Sequence, residues 1–370
     1  MRSAAIYSPR NLHFTPYTLH IVLHLSRKRR CINIKIRLLS LLLIPGLLLS
    51  SCARPGPDKP SADTRLVVDQ AGREVEITYP VERIVSGYYI SSSACIALGL
   101  AGRMVGIEAR AAARPIYALA APELLQLPDV GTAKEFSLET CLALEPDLVL
   151  LPVHLRDKAE IMEELGVPVV LVNPESFDGL LGMISLIGEA AGITERAERM
   201  LGYYGDLRAA VGGLTDGLAE RPVVYMGGVA SYLTTAPGDM YQSSLIALAG
   251  GDNAAKNITG SGWTQISYEQ LLVMDPDVIV IPAEAGYDCE DIFADARLIS
   301  LAAVRDGRVY RMPGEFEAWD SPVPSAMLGV LWMLSLLHGD LFSIAELRDA
   351  ASAFYGEFYG ILIDADLIGK

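Results

Sequence analysis

Aromatic and basic side chains that could bind a small molecule recur in the predicted loops of this 370-residue chain. Aromatic rings suit flat ligands, and guanidinium or ammonium groups suit carboxylates and catecholates. Each aromatic side chain could equally be explained by ordinary packing, so we expect about half of the set to contact a ligand. The candidates are Tyr88, Tyr89, Arg110, Arg114, Lys134, Tyr232, Trp263 and Trp319. Trp263 and Trp319 are the strongest single candidates, although the Asp-Ser-Pro that follows Trp319 could make it part of a helix start.

The sequence lacks the motifs of common enzymes. No GxGxxG follows the predicted strand at 83–86, and no Walker A or GxSxG motif occurs. After residue 52 the only histidines are His154 and His338, too few for a histidine cage around a metal ion. We therefore assign no catalytic residue and no metal ligand, and an exported α/β hydrolase-like enzyme remains the main alternative.

One sequence block occurs twice, and it indicates the architecture. Residues 137–152 read SLETCLALEPDLVLLP and residues 267–282 read SYEQLLVMDPDVIVIP, at a constant offset of 130 residues. Each block predicts a short helix, a Pro-Asp turn and a strand that is apolar on both faces, as in a buried parallel sheet. A repeat of this length is too long for a solenoid and predicts two related α/β lobes.

The predicted fold class is α/β, with two Rossmann-like lobes joined by a single long α-helix. Apolar residues at helical spacing between Asp178 and Val211 predict that helix, about 45 Å long, and a stiff connection that permits only modest closure. The predicted segments are a leader with lipoprotein signal (1–52), a flexible tether (53–64), lobe one (65–177), the connecting helix (178–212), lobe two (213–345) and a C-terminal helical tail (346–370).

Charge separates the first segment from the rest. The formal charge is −15, and residues 1–52 hold eight Lys/Arg and no Asp/Glu, so the remainder carries 22 − 45 = −23. A segment with so much negative charge is a poor partner for nucleic acid, because phosphates repel it. The apolar run at 38–49, followed by Ser50, Ser51 and Cys52, resembles the signal of bacterial lipoproteins. That resemblance implies export, diacylation of Cys52 and attachment to the outer face of the cytoplasmic membrane.

Taken together, the lipoprotein signal, the hairpin predicted at 66–77, the twin Pro-Asp strands and the single connecting helix resemble the class III substrate-binding proteins of ABC importers. The resemblance spans about residues 65–345 and implies a binding protein that works with a permease dimer and its ATPase. It implies a metal chelate as ligand, with an iron–siderophore first, then cobalamin or haem. A molybdate-type oxyanion remains open, as does an adhesion or sensor module of the same fold. We expect a monomer with no cofactor other than the lipid on Cys52.

The resemblance also implies a role for Glu139 and Glu269, which occupy the same position in the two blocks. In the family, one surface glutamate on each lobe docks onto arginines of the permease. Two carboxylates in equivalent places suit a two-fold symmetric partner, and arginine–carboxylate pairs are directional. The alternative is that both are solvated helix carboxylates that were kept when the lobe was duplicated.

Overall fold

Two four-stranded parallel sheets with the same strand order form the framework of the chain. The computed structural model describes residues 63–260 and 262–369. The strands are β1 Asp63–Val68, β2 Glu74–Tyr79, β3 Ile84–Ser86, β4 Met104–Gly106, β5 Leu148–Pro152, β6 Val169–Val172, β7 Val223–Met226, β8 Thr234–Thr235, β9 Asp252–Asn253, β10 Thr264–Gln265, β11 Val278–Ile281 and β12 Val309–Arg311.

The helices lie between and around these strands. They are α1 Tyr89–Ala97, α2 Pro115–Ala120, α3 Leu138–Ala143, α4 Arg156–Glu164, α5 Phe177–Ala190, α6 Thr194–Thr215, α7 Tyr241–Leu248, α8 Tyr268–Met274, α9 Cys289–Ala294, α10 Ala302–Arg305, α11 Ala326–Leu337 and α12 Ile344–Phe354. Within the part of the chain that the structure describes, no helix is both long and apolar enough to cross a membrane.

The duplication predicted from the two sequence blocks is confirmed by the sheets. Lobe one has the order β4-β3-β5-β6 and lobe two has β9-β7-β11-β12, with parallel pairing throughout. The twin Pro-Asp blocks supply the equivalent strands β5 and β11, each fully buried. The predicted hairpin is also present, as the antiparallel pair β1 and β2. In both lobes, the loops that follow the parallel strands therefore lie at the carboxyl edge of the sheet. This is the edge at which α/β proteins bind their ligands.

The connecting helix differs from its prediction, because the single helix expected over 178–212 is two helices. Helix α5 ends at Ala190, and Gly192 takes a left-handed backbone with φ of 69° before α6 begins at Thr194. Glycine adopts this conformation at low cost, so it ends helices. The helix that joins the lobes is α6, with 22 residues, while α5 packs along it.

The main hydrophobic core contains residues from both lobes and from the C-terminal tail. Each sheet packs a second, smaller core on the face opposite the main core. In lobe one this core lies beneath α3 and α4, and in lobe two it lies beneath α8 and α9. The tail helix α12 packs on α11, and the helical turn that follows it, Tyr355–Tyr359, reaches α1 of lobe one. The tail is thus part of the central core.

Candidate functional site

A cleft of about 300 Å³ lies between the lobes, beside the loops that follow the strands. Lobe one supplies α1 and the start of α2, and lobe two supplies the segments after β11 and β12. The lining side chains used below are Tyr89, Ser93, Arg114, Glu284, Arg311, Glu315, Phe316 and Glu317. A concave site that combines aromatic, basic and acidic side chains is typical of small-molecule binding.

Arg114 is the basic group that lobe one places in the cleft. Its guanidinium carbon lies over the ring of Tyr89, 3.7 Å from the ring centroid, in a cation–π contact. Its Nη1 lies 3.3 Å from Oε1 of Glu284 in lobe two. Its Nε is buried and has no hydrogen-bond partner in the protein. A buried donor without an acceptor costs free energy, so Arg114 has unused capacity for a ligand oxygen.

A buried carboxylate, Glu317, forms part of the cleft floor. Its Oε1 accepts a 2.7 Å hydrogen bond from Ser93 of lobe one, and its Oε2 accepts a 2.7 Å bond from Tyr359 of the tail. Burial raises the pKa of Glu317, and these hydroxyl donors together with the nearby charge of Arg114 oppose that rise. The floor of the cleft therefore joins lobe one, lobe two and the tail.

A second buried carboxylate, Glu108, supports the lobe-one side of the site. Ser92 of α1 and Tyr117 of α2 each donate a 2.5 Å hydrogen bond to it. Burial also raises the pKa of Glu108, and the two hydroxyl donors partly offset the rise. Because Tyr89 begins α1 and Arg114 immediately precedes α2, the contacts of Glu108 hold these two cleft residues in register.

In lobe two, Arg311 is occupied by the protein backbone. Its guanidinium donates to the carbonyl groups of Pro282, Ala283, Ala285 and Tyr287. These bonds hold the 282–287 loop, which carries Glu284. Although Arg311 lines the cleft, most of its donors are therefore already used, and Arg114 is the better candidate for recognising an anion.

The two glutamates predicted to dock are both exposed and lie in matching places. Glu139 is in the first turn of α3 and Glu269 is in the first turn of α8, each two residues after a serine that caps its helix. A hydrogen bond from Ser267 lowers the pKa of Glu269, so that carboxylate stays ionised. Phe136, just before α3, packs against Gly87 at the end of β3, which places this helix start at the carboxyl edge of the sheet.

Of the eight predicted ligand-binding residues, the cleft contains Tyr89 and Arg114. Tyr88 packs edge-on against Tyr89, with ring centroids 5.5 Å apart, but does not line the cleft. Arg110 and Lys134 are exposed on the same lobe and lie outside the cleft lining. The loop between β4 and α3 therefore contributes one of its three predicted basic residues.

Two of the three predictions for lobe two need correction. Trp319 is 1% exposed and donates its indole N–H to Tyr355 at 3.1 Å, so it is a core residue and not a cleft residue. Tyr232 donates to Asp295 at 2.8 Å and packs on Tyr287, away from the cleft. Trp263 is exposed beside Gly228 and likewise does not line the cleft. Packing explains Trp319 and Tyr232, whereas contact of the exposed Trp263 with a ligand stays a prediction.

Ser93, Glu108, Glu284 and Arg311 were not predicted as site residues. The sequence carried a signal for the first two, because three serines follow β3 and Glu108 comes almost directly after β4. Polar residues after parallel strands meet at one edge of the sheet. The same signal applies to Glu284, which lies three residues after the end of β11. Cys52, the predicted lipidation site, lies outside the described residues.

Both the sequence and the fold of this chain are similar to known proteins. Residues 84–316 match the family model described as periplasmic binding protein. The molybdate-binding protein MolA of Haemophilus influenzae is 25% identical over 321 residues, covering 80% of this chain and 91% of that protein. A periplasmic solute binding protein from Veillonella parvula is 26% identical with a TM-score of 0.73, covering 82% of this chain and 95% of that chain. Helicobacter pylori CeuE in complex with Ni-His superposes with a TM-score of 0.71 at 18% identity, covering 82% and 98% of the two chains, which shows a common fold.

Proposed function

Because this chain belongs to the periplasmic binding protein family, as a class III substrate-binding protein of an ABC importer, we propose that its cleft captures a compact metal chelate for delivery to the permease. The chain is thus an exported binding protein and not an enzyme. The proposal concerns the identity of the ligand, and the residues that line the cleft support it.

The observation that carries this proposal is the state of Arg114. Its guanidinium lies over the ring of Tyr89 and keeps a buried Nε–H without an acceptor, in a cleft lined by both lobes. A chelate that presents a carboxylate or catecholate oxygen would satisfy that donor. The aromatic faces of Tyr89 and Phe316 would pack against the organic part of the chelate.

The size of the cleft favours a compact chelate. Its volume of about 300 Å³ is at the lower end of the range for ligand pockets, which runs from about 300 to 1,000 Å³. A porphyrin or corrinoid would leave much of its surface outside such a cleft. We therefore rank a siderophore-type iron chelate of small ligands, such as citrate or dihydroxybenzoate, before cobalamin or haem.

A molybdate-type oxyanion is the second candidate, favoured by the similarity to MolA along most of both chains. The charges of the cleft argue against it. Three carboxylates, Glu284, Glu315 and Glu317, line the cleft, against the two guanidinium groups of Arg114 and Arg311. A small dianion surrounded by these carboxylates would be repelled, whereas a larger chelate can place its anionic groups near Arg114 alone.

The test is a thermal-shift and calorimetric screen of the purified chain without its leader. The probes are ferric citrate, the ferric complex of 2,3-dihydroxybenzoate, haemin, cyanocobalamin, nickel with histidine, and sodium molybdate. A ligand at one hundred times its Kd stabilises the protein by about 2.7 kcal/mol, which is visible as a raised melting temperature. We expect the iron chelates to give the largest shift.

Arg114→Gln should abolish most of that shift, and Arg110→Gln is the matched control. Both arginines lie between β4 and α2, but Arg110 is exposed outside the cleft. If molybdate alone stabilises the protein, the ligand is an oxyanion and the proposal of a metal chelate is wrong. If the two substitutions reduce the thermal shift equally, Arg114 does not contribute specifically to ligand binding.

We also propose that Cys52 carries the lipid that holds the protein at the membrane, as its sequence context implies. Two acyl chains would make the full-length product partition into a detergent phase. Cys52→Ala should move the protein to the aqueous phase, and Cys289→Ala, a substitution in lobe two, should not. Aqueous partition of the unaltered protein would contradict lipidation.

A further inference from the structure

An ion pair joins the lobes across the cleft, between Arg114 of lobe one and Glu284 of lobe two. Both residues line the cleft. The Glu284 carboxylate binds Nη1 and therefore lies close to any anionic group that reaches the unpaired Nε of the same guanidinium. Two like charges so close together repel, so binding of an anionic group favours displacement of Glu284. This inference rests on the proposed function, because it concerns what a chelate meets at Arg114.

Contacts with neighbouring residues position both members of the ion pair. Stacking on Tyr89 fixes the guanidinium of Arg114. Arg311 donates to the carbonyl groups of Ala283 and Ala285, the two neighbours of Glu284, and so fixes the backbone from which Glu284 extends. Contacts within each lobe therefore bring the two side chains together across the cleft.

The pair is nevertheless easy to break. The side chain of Glu284 is 59% exposed and that of Arg114 is 24% exposed. Ion pairs with this much access to water contribute about 0.2 to 1 kcal/mol. A ligand with several anionic oxygens can displace Glu284 at that cost, while the stacking on Tyr89 keeps Arg114 in position.

We propose that Glu284 is an internal competitor that occupies Arg114 in the empty cleft and is displaced by the anionic oxygens of the incoming chelate. The consequence is selectivity. Neutral or singly charged compounds displace Glu284 poorly, whereas the negative charges of a polyanionic chelate repel Glu284 and attract the guanidinium of Arg114 more strongly. Glu284 is thus a specificity-determining residue that touches Arg114 and not the ligand.

The experiment compares Glu284→Gln with Glu315→Gln, using ferric citrate and the ferric 2,3-dihydroxybenzoate complex as probes. Both substitutions remove one negative charge from the cleft, but Glu315 accepts its hydrogen bond from the backbone of Gly314 and does not pair with Arg114. Glu284→Gln should tighten binding about 1.4- to fivefold, the range set by an exposed ion pair of about 0.2 to 1 kcal/mol. Glu315→Gln should tighten it less.

A double-mutant cycle provides the second measurement. In the Arg114→Gln background, Glu284→Gln should no longer tighten binding, because the competition has been removed. Equal gains from Glu284→Gln and Glu315→Gln, or a gain that persists without Arg114, would overturn the internal competitor while leaving the chelate site intact. Failure of both probes to bind any variant would instead overturn the proposed function, and this inference with it.

Discussion

Ser93 of lobe one donates a 2.7 Å hydrogen bond to the buried carboxylate of Glu317 in lobe two, although 224 residues separate them in the sequence. Tyr359 donates to the other oxygen of the same carboxylate. One acidic side chain thereby connects the two lobes and the tail beneath the cleft. A buried acceptor with two donors has consequences for stability, because each donor loses its partner when the carboxylate is removed.

Glu317→Ala should therefore lower the free energy of unfolding by about 1 to 3 kcal/mol, the cost of leaving buried hydroxyl groups without an acceptor. Urea unfolding measures it. Glu315→Ala is the matched control, since that glutamate is exposed two residues away and should change stability by less than about 0.5 kcal/mol. Equal losses in the two variants would mean that the contact with Ser93 contributes nothing.

The stability of the protein should also depend on the ionisation of Asp320. Burial raises the pKa of this carboxyl group from 3.8 to about 6, even though the backbone N–H of Ala283 donates to it. A raised folded-state pKa means that its contribution to stability is present below the unfolded value near 3.8 and is lost as the pH rises through about 6.

Asp320→Asn, which cannot ionise, should accordingly gain stability relative to the unaltered protein as the pH rises from 4 to 6. Above pH 6 the gain should level off, at a value on the order of 3 kcal/mol for a shift of about two pKa units. Urea unfolding at pH 4.5 and pH 7.5 provides the comparison. A difference that is the same at both pH values would show that Asp320 is ionised throughout.

The sequence was sufficient to predict the two lobes, because the repeated Pro-Asp block encodes a local structure. A helix cap at Ser137 or Ser267, a turn and an apolar strand are all set by near neighbours, and the two copies form equivalent strands, β5 and β11, in the sheets of the two lobes. The break at Gly192 was harder to predict, since glycines occur inside α5 and α6 as well as between them. The positive φ that ends α5 depends on packing.

The site was only partly predictable, for a different reason. Tyr89 and Arg114 follow strands of lobe one, so their place at the sheet edge could be inferred. The burial of Trp319 is set by the tail, where Tyr355 accepts its indole hydrogen bond from 36 residues further along the chain. Contacts of that kind, like the one between Ser93 and Glu317, join distant segments and leave no local pattern.

The different environments of the two loop tryptophans lead to a third prediction. Trp319→Ala should cost about 3 to 5 kcal/mol, as expected for removal of a fully buried aromatic side chain. Trp263→Ala should cost less than about 0.5 kcal/mol, because Trp263 is 37% exposed. Chemical denaturation of both variants measures the difference. A larger loss for Trp263 than for Trp319 would contradict the burial pattern described above.

The last prediction concerns the exposed glutamates at the starts of α3 and α8. We propose that Glu139 and Glu269 bind arginines of the permease, because they occupy matching first turns on two lobes of the same topology. Their simultaneous replacement by alanine should abolish uptake of the chelate in cells. Ligand affinity in vitro should not change, since neither side chain lines the cleft.

Glu164→Ala combined with Glu290→Ala is the matched control for that pair. These glutamates are also exposed, with one on each lobe, so the control removes the same two charges from other surfaces. Uptake should persist in the control and fail in the Glu139 and Glu269 pair, because directional arginine–carboxylate contacts depend on position and not on net charge. Equal uptake by both double variants would contradict docking through these two residues, and equal loss would indicate that the acidity of the whole surface attracts the permease.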